Sequence, residues 1–206
     1  DQRIRLKSQF ELAKRGARKE LKEASLNSTQ IGRIHAIWGL GQIYRTTKEI
    51  TPELSDLLTD QDPEIRVQAV KTLGDLHGTH LALHRAPAPK GIVSLSEQKF
   101  IPLLKDPSDR VKFHAAIAIG NVSGSEGAQA ILGMIRSIND DSKTFLRHAA
   151  VVGLTGCATS EFLVNLSKDD SELIQKIAVV ALRRRANPAV AGFLKSPMEN
   201  VAAEAA

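Results

Sequence analysis

The sequence predicts an all-α chain, a right-handed α-α superhelix of about six stacked helix pairs. Two observations carry that expectation: a helical phrase that recurs along the chain and gaps of 28 to 46 residues between its copies. Periods of that length belong to stacked repeats, in which no unit buries its apolar face alone. The phrase is clearest from Asp62 to Gly78, DPEIRVQAVKTLGDLHG. Pro63 stands at a first-turn position where its missing N–H is no loss. Ile65, Ala69, Leu73 and Leu76 then form one apolar stripe at helical spacing, and the small Ala69 lets a second helix approach closely.

Taken in order, the frame of an apolar residue, a basic residue, a small residue and a second apolar residue fits six helices. They are Ile4-Arg5 with Ser8 and Leu12, Arg33 with Ala36 and Leu40, and Ile65-Arg66 with Ala69 and Leu73. Val111-Lys112 with Ala115 and Ile119 follows, then Leu146-Arg147 with Ala150 and Leu154, then Ile174 with Ala178 and Leu182. The small anchors lie 28, 33, 46, 35 and 28 residues apart. Weaker amphipathic segments fall between them, from Arg18 to Leu26, Pro52 to Thr59, Glu97 to Lys105, Glu126 to Ile138 and Ser160 to Lys168. Each repeat is therefore two antiparallel helices and a short turn, and residues 1–206 read as a single solenoid.

The length of 206 residues and a hydrophobic share of 42% suit one continuous core of Leu, Ile, Val and Ala. The single cysteine, Cys157, excludes an internal disulfide. No apolar run approaches the roughly 18 residues of a membrane span. The opening in mid-helix and the closing MENVAAEAA, the front half of an anchored helix, are expected of a fragment of a longer chain.

LLTDQDPEIRVQAVKTLGDL and LLKDPSDRVKFHAAIAIGNV resemble the HEAT repeat, an armadillo-like family whose second helices follow an aspartate-proline turn and carry a small residue after a valine-arginine pair. The resemblance implies a structural ladder of basic side chains, here Arg5, Arg33, Arg66, Lys112 and Arg147, with Gln175 departing from the pattern. Its acidic partners would come from Asp60, Asp62, Asp106, Asp140, Asp141, Asp169 and Asp170. It also implies binding of proteins rather than catalysis. RIRLKSQFELAKRG, RIHAIWGLGQIYR and VVALRRRANPAVAGFLKSPMENVAAEAA further resemble the repeat region of large planctomycete-type bacterial proteins. In those, a dehydrogenase-like β-propeller precedes the repeats and a c-type cytochrome module follows, which implies a redox parent in an extracytoplasmic, periplasmic setting. The haem of that family needs CxxCH, and Cys157 is followed by Ala158, so no cofactor is expected on this segment.

Between Gly78 and Glu97 the chain carries about 13 residues more than the neighbouring spacing. Pro87, Pro89 and Gly91 oppose helix there, so 79–96 reads as an insertion loop, of a length that tends to be functional or disordered, and ordering by a partner domain is expected. His77, His80 and His84 would share one side of a helix and reach one metal. No acid or cysteine completes the set, so polar surface is the preferred reading and no metal site is expected. His35, His114 and His148 lie in three different repeats and cannot share an ion.

Catalytic patterns are missing from the sequence. It holds no G-x-S-x-G elbow, no phosphate loop G-x-x-x-x-G-K-[ST] and no H-E-x-x-H. Gly39-Leu40-Gly41 lies inside a helix, where close packing explains it better than a dinucleotide loop. The chain is expected to be no enzyme.

Two surfaces remain. The net charge of +5 is concentrated at the start, where residues 1–50 hold 11 basic and 5 acidic side chains. Lys14, Arg15, Arg18, Lys19 and Lys22 form a basic patch that suits docking of an acidic domain, with nucleic acid as the alternative. The second surface lies opposite the buried stripe, at 100° per residue. It consists of Leu6 and Phe10, Ile34 and Trp38, Val67 and Lys71, Phe113 and Ile117, His148 and Val152, Lys176 and Val180. Either these form an apolar ridge for partners, with Leu6, Phe10, Ile34, Trp38, Phe113 and Ile117 as contact residues, or the helices are buried nearly all round. The expected function is a non-catalytic scaffold for other proteins or for neighbouring domains of its own chain.

Overall fold

The structure is a computed structural model that describes residues 1–47, 52–81, 96–122, 126–138 and 143–206, with the side chains of 77–81 outside the description. Most of the described residues are helical, with no strand among them, and the chain is an all-α solenoid of paired helices. It divides into two compact units, Asp1–Leu95 and Ser96–Ala206.

The first unit holds α1 (Gln2–Lys14), α2 (Arg18–Asn27), α3 (Gln30–Thr47), α4 (Pro52–Asp56) and α5 (Pro63–Leu81). α3 is its centre and packs on α1, α2 and α5. Helix α3 can serve three neighbours because Ala36, Ile37, Gly39, Leu40, Gly41, Ile43 and Tyr44 bury most of its circumference. A β-carbon on Gly39 would lie 2.8 Å from Leu21 of α2, and one on Gly41 2.6 Å from Thr72 of α5. On α5 the expected stripe is inside, with Ile65, Ala69 and Leu73 all 3% exposed or less. This helix runs past Gly78 to Leu81, so the first three positions assigned to the insertion loop are helical. Residues 82–95, and with them His84, lie outside the described residues.

Two expectations fail in this unit. Ser8 is exposed, Ile4 is 66% exposed, and Gln9 is the buried residue of α1. The helix is rotated because the Gln9 side chain receives a hydrogen bond from His35 of α3, at 2.7 Å, a polar contact that an apolar frame does not register. Val67 does not face outward either; it is 1% exposed.

The second unit holds α6 (Asp109–Val122), α7 (Gly127–Ser137), α8 (Thr144–Cys157), α9 (Ser160–Asn165), α10 (Glu172–Arg184) and α11 (Glu199–Ala205). α8 packs against α6, α7 and α10. Its crossing with α6 is the tightest seam of the unit. A β-carbon on Gly153 would meet the Ala116 carbonyl oxygen at 2.5 Å, and one on Gly156 the Gly120 carbonyl oxygen at 2.1 Å.

The first members of several pairs are short and finish in, or consist of, 3₁₀ turns at Leu57–Thr59, Ile101–Lys105, Leu166–Lys168 and Pro188–Lys195. Each ends on a residue whose side chain accepts a backbone N–H two positions on, which breaks the helix and starts the next. These residues are Asp60 (2.9 Å), Asp106 (2.8 Å), Asp169 (3.0 Å) and Ser196 (3.3 Å). Pro188–Lys195 was not legible as a helical segment, since its Pro, Gly and alternating Ala and Val give no clear stripe.

Candidate functional site

In the first unit, the side of α3 left free by its three neighbours presents Trp38, which is 39% exposed. The ring is not loose. Its Nε1–H donates to Gln68 Oε1 of α5 at 2.9 Å, and Gln68 Nε2 donates to Glu64 at 2.8 Å. His35 meets the ring edge to face, with centroids 5.2 Å apart and planes at 69°. The contact of His35 Nδ1 with Gln9 Oε1 places the imidazole hydrogen on Nδ1. Burial, and secondarily the charge of Arg5, hold the His35 pKa below its ordinary value, so this support is neutral imidazole at pH 7. Beside Trp38 lies a cleft of about 280 Å³ bordered by Gln42, Arg45, Lys71, Thr72 and Asp75, with Gly41 on its floor.

α1 continues this face. Leu6 is 40% and Phe10 52% exposed, and they line a shallow hollow of about 370 Å³ with Arg3, Lys7, Glu11 and Lys14. Glu11 is held by Arg15 at 2.7 Å, which pulls its carboxyl below the usual range. Ile34 is half-buried. The basic patch occupies the corner where α1 turns into α2 through Gly16, whose φ of +64° is the left-handed conformation that glycine tolerates. Lys14, Arg15, Lys19 and Lys22 are exposed there and Arg18 is half-buried. Lys14 belongs to both the hollow and the patch.

In the second unit Phe113 and Ile117 are half-buried. Phe113 is 6.2 Å from the ring of Phe145, which is 42% exposed on α8. Sequence reasoning missed Phe145, which precedes the basic position Arg147 by two residues and so lies off the line opposite the buried stripe. His148 is exposed, and Val152, Lys176 and Val180 are half-buried.

The basic positions behave in several ways. Arg33 pairs with the Asp60 carboxylate and donates through Nε to the Ser25 carbonyl at 2.7 Å. Arg66 donates to the Asp60 carbonyl at 2.7 Å. Gln175, which departs from the basic pattern, donates to the Asp169 carbonyl at 2.7 Å, the same contact six residues back that Arg66 makes. Asp169 in turn pairs with Arg136 of α7. Lys112 binds Asp109 of its own helix at 2.8 Å, and Lys143 joins that carboxylate at 2.9 Å. Arg147 is half-buried. Arg5 Nε is buried with no hydrogen-bond partner among the described residues.

One buried carboxylate was invisible in the sequence. Glu97, 8% exposed, accepts the N–H groups of Glu126 at 3.0 Å and Gly127 at 2.8 Å, and so caps the start of α7 from 30 residues away. Gly127 allows this approach, since a β-carbon there would lie 2.6 Å from the carboxylate. Burial and then the Glu97 charge push the Cys157 thiol up to about 12, which keeps it protonated. Among the described residues no group of three or more His, Cys, Asp or Glu could hold a metal ion, and no helix is long and apolar enough to cross a membrane. The side chains of His77, His80 and His84 lie outside the described residues.

A family described as HEAT repeats matches residues 19–86, the stretch that contains α3, α4 and α5. The match supports reading this part of the chain as a HEAT-repeat domain, a class that generally mediates protein-protein interaction. No curated protein matches the chain.

Proposed function

We propose that this protein is a non-catalytic scaffold that holds another protein, or a neighbouring domain of its own chain, on the face formed by α1, α3 and α5. The observation that carries the reading is Trp38, a large aromatic left 39% exposed yet fixed in place by Gln68 and His35. A rigid, half-exposed tryptophan next to exposed leucine and phenylalanine is the composition of a binding hot spot, because contact area is gained with little loss of side-chain freedom. Phe113, Ile117 and Phe145 would serve the same purpose in the second unit. The reading treats residues 1–206 as one run of repeats with an insertion after Leu81, and the Arg33, Arg66 and Gln175 contacts as structural ties within it. Its resemblance to repeats of planctomycete redox proteins makes a dehydrogenase-like or cytochrome-like module the first partner to look for.

A photo-crosslinking residue placed at position 10 or 38 tests this in the cells that produce the protein. The expected product is a protein adduct, identified by mass spectrometry, that is absent when the same residue replaces exposed Asn165 or Lys168. Adducts of nucleic acid alone would favour the basic corner around Lys14 to Lys22 as the functional surface. Equal trapping from all four positions, or none from 10 and 38, would overturn the reading.

A further inference from the structure

The chemistry of the partner can be narrowed from the charges that surround the aromatic face, an inference that rests on the scaffold reading above. The two carboxylates that line the hollow and the cleft are already paired: Glu11 with Arg15 at 2.7 Å and Asp75 with Lys71 at 2.9 Å. Lys7, Lys14 and Arg45, in contrast, border the hollow and the cleft with no ion pair among the described residues. Cations outside any ion pair among the described residues, set near exposed Leu6, Phe10 and Trp38, are matched by a ligand that brings carboxylates and apolar side chains together.

We infer that the face takes an acidic amphipathic segment of a protein, with two apolar anchors seated near Phe10 and Trp38 and carboxylates directed at Lys7, Lys14 and Arg45. Neighbouring packed helices lie about 10 Å apart. Anchors matching α1 and α3 would therefore be about seven residues apart on a helix rising 1.5 Å per residue, and about 15 residues would cross α1, α3 and α5. Nucleic acid fits less well. Trp38 is fixed by its Nε1–H on Gln68 and by the ring of His35, and Leu6, Phe10 and the Glu11 carboxylate share the hollow with Lys7 and Lys14, so the cations form no unbroken phosphate track.

Trp38 is the only tryptophan of the chain, so its emission reports directly on the face. The test titrates the whole protein with four probes. They are a 15-residue helical peptide with Leu seven residues apart on a glutamate background, its lysine-for-glutamate twin, its serine-for-leucine twin, and a 20-base-pair DNA duplex. The expected result is a blue shift of Trp38 and saturable binding with the acidic peptide alone. That binding should weaken about tenfold in the exposed double variant Lys7→Glu/Lys14→Glu and about tenfold in Phe10→Ala. Unchanged circular dichroism in both variants separates lost contact from lost fold. Equal binding of either twin peptide, preferential binding of the duplex, or no binding of the acidic peptide would overturn the inference. If the acidic peptide fails while positions 10 and 38 still crosslink to a protein, the partner chemistry is wrong and the scaffold reading stands. If both fail, both fall.

Discussion

A β-carbon at Gly156 would lie 2.1 Å from the Gly120 carbonyl oxygen, and backbone on both sides of the α6–α8 seam leaves nothing flexible to move aside. Gly133, inside α7, has nothing within 4 Å of the same added atom. The two glycines therefore respond oppositely to alanine. Gly156→Ala should lose about 3 kcal/mol through forced separation of the helices. Gly133→Ala should gain about 0.5–1 kcal/mol from reduced unfolded-state freedom and better helix propensity. Urea midpoints of the two variants check this, and similar shifts of one sign would show that the seam is looser than described. Neither glycine is distinguishable by sequence alone. Both sit in helical runs, and only the placement of a second backbone makes one indispensable.

At the scale of elements, α6 and α8 are further tied through Asp109 in the first turn of α6, which takes Lys112 of its own helix and Lys143 beside the start of α8. The hydrogen bonds from these two lysines hold the Asp109 carboxyl below its usual range, against the opposing effect of burial. A carboxyl with a depressed folded pKa contributes stability that is present above its unfolded value of about 4 and is lost as pH falls through the folded one. Asp109→Asn should accordingly cost stability at pH 7 and progressively less as pH falls below about 4. Denaturant unfolding at pH 7 and pH 3 measures the two gaps, and a constant difference would contradict this role.

The elements themselves were largely legible. Ala36, Ala69, Ala115, Ala150 and Ala178 are buried anchors as the apolar frame requires, because helix stacking imposes one small residue at each crossing. α1 escaped the frame because a glutamine, not an apolar side chain, faces α3. The Glu97 cap escaped because its two partners are 29 and 30 residues away and no local pattern links a carboxylate to distant N–H groups. Of the candidate site, the exposure of Trp38 followed from helical geometry, whereas Leu6 and Phe10 are exposed on a helix whose supposed inner residues Ile4 and Ser8 are exposed as well. The burial of Val67 did not follow, since a helix flanked by neighbours buries more than one stripe. The contacts that fix Trp38, a hydrogen bond to Gln68 and a ring contact with His35, depend on side chains about which spacing carries no information.

Across the whole molecule, the positive surplus and the exposed aromatic face fall in the same first unit, Asp1–Leu95. On the proposed scaffold reading that coincidence is what a docking surface requires, since apolar area supplies affinity while charge selects the partner. Amide hydrogen exchange of the intact protein, free and bound to the protein captured from positions 10 and 38, tests this account most directly. The account predicts slowed exchange along residues 6–14 of α1 and 34–45 of α3, with α2 and α4 unchanged. Protection confined to α2 and the Lys14 to Lys22 corner, with none around Trp38, would contradict it.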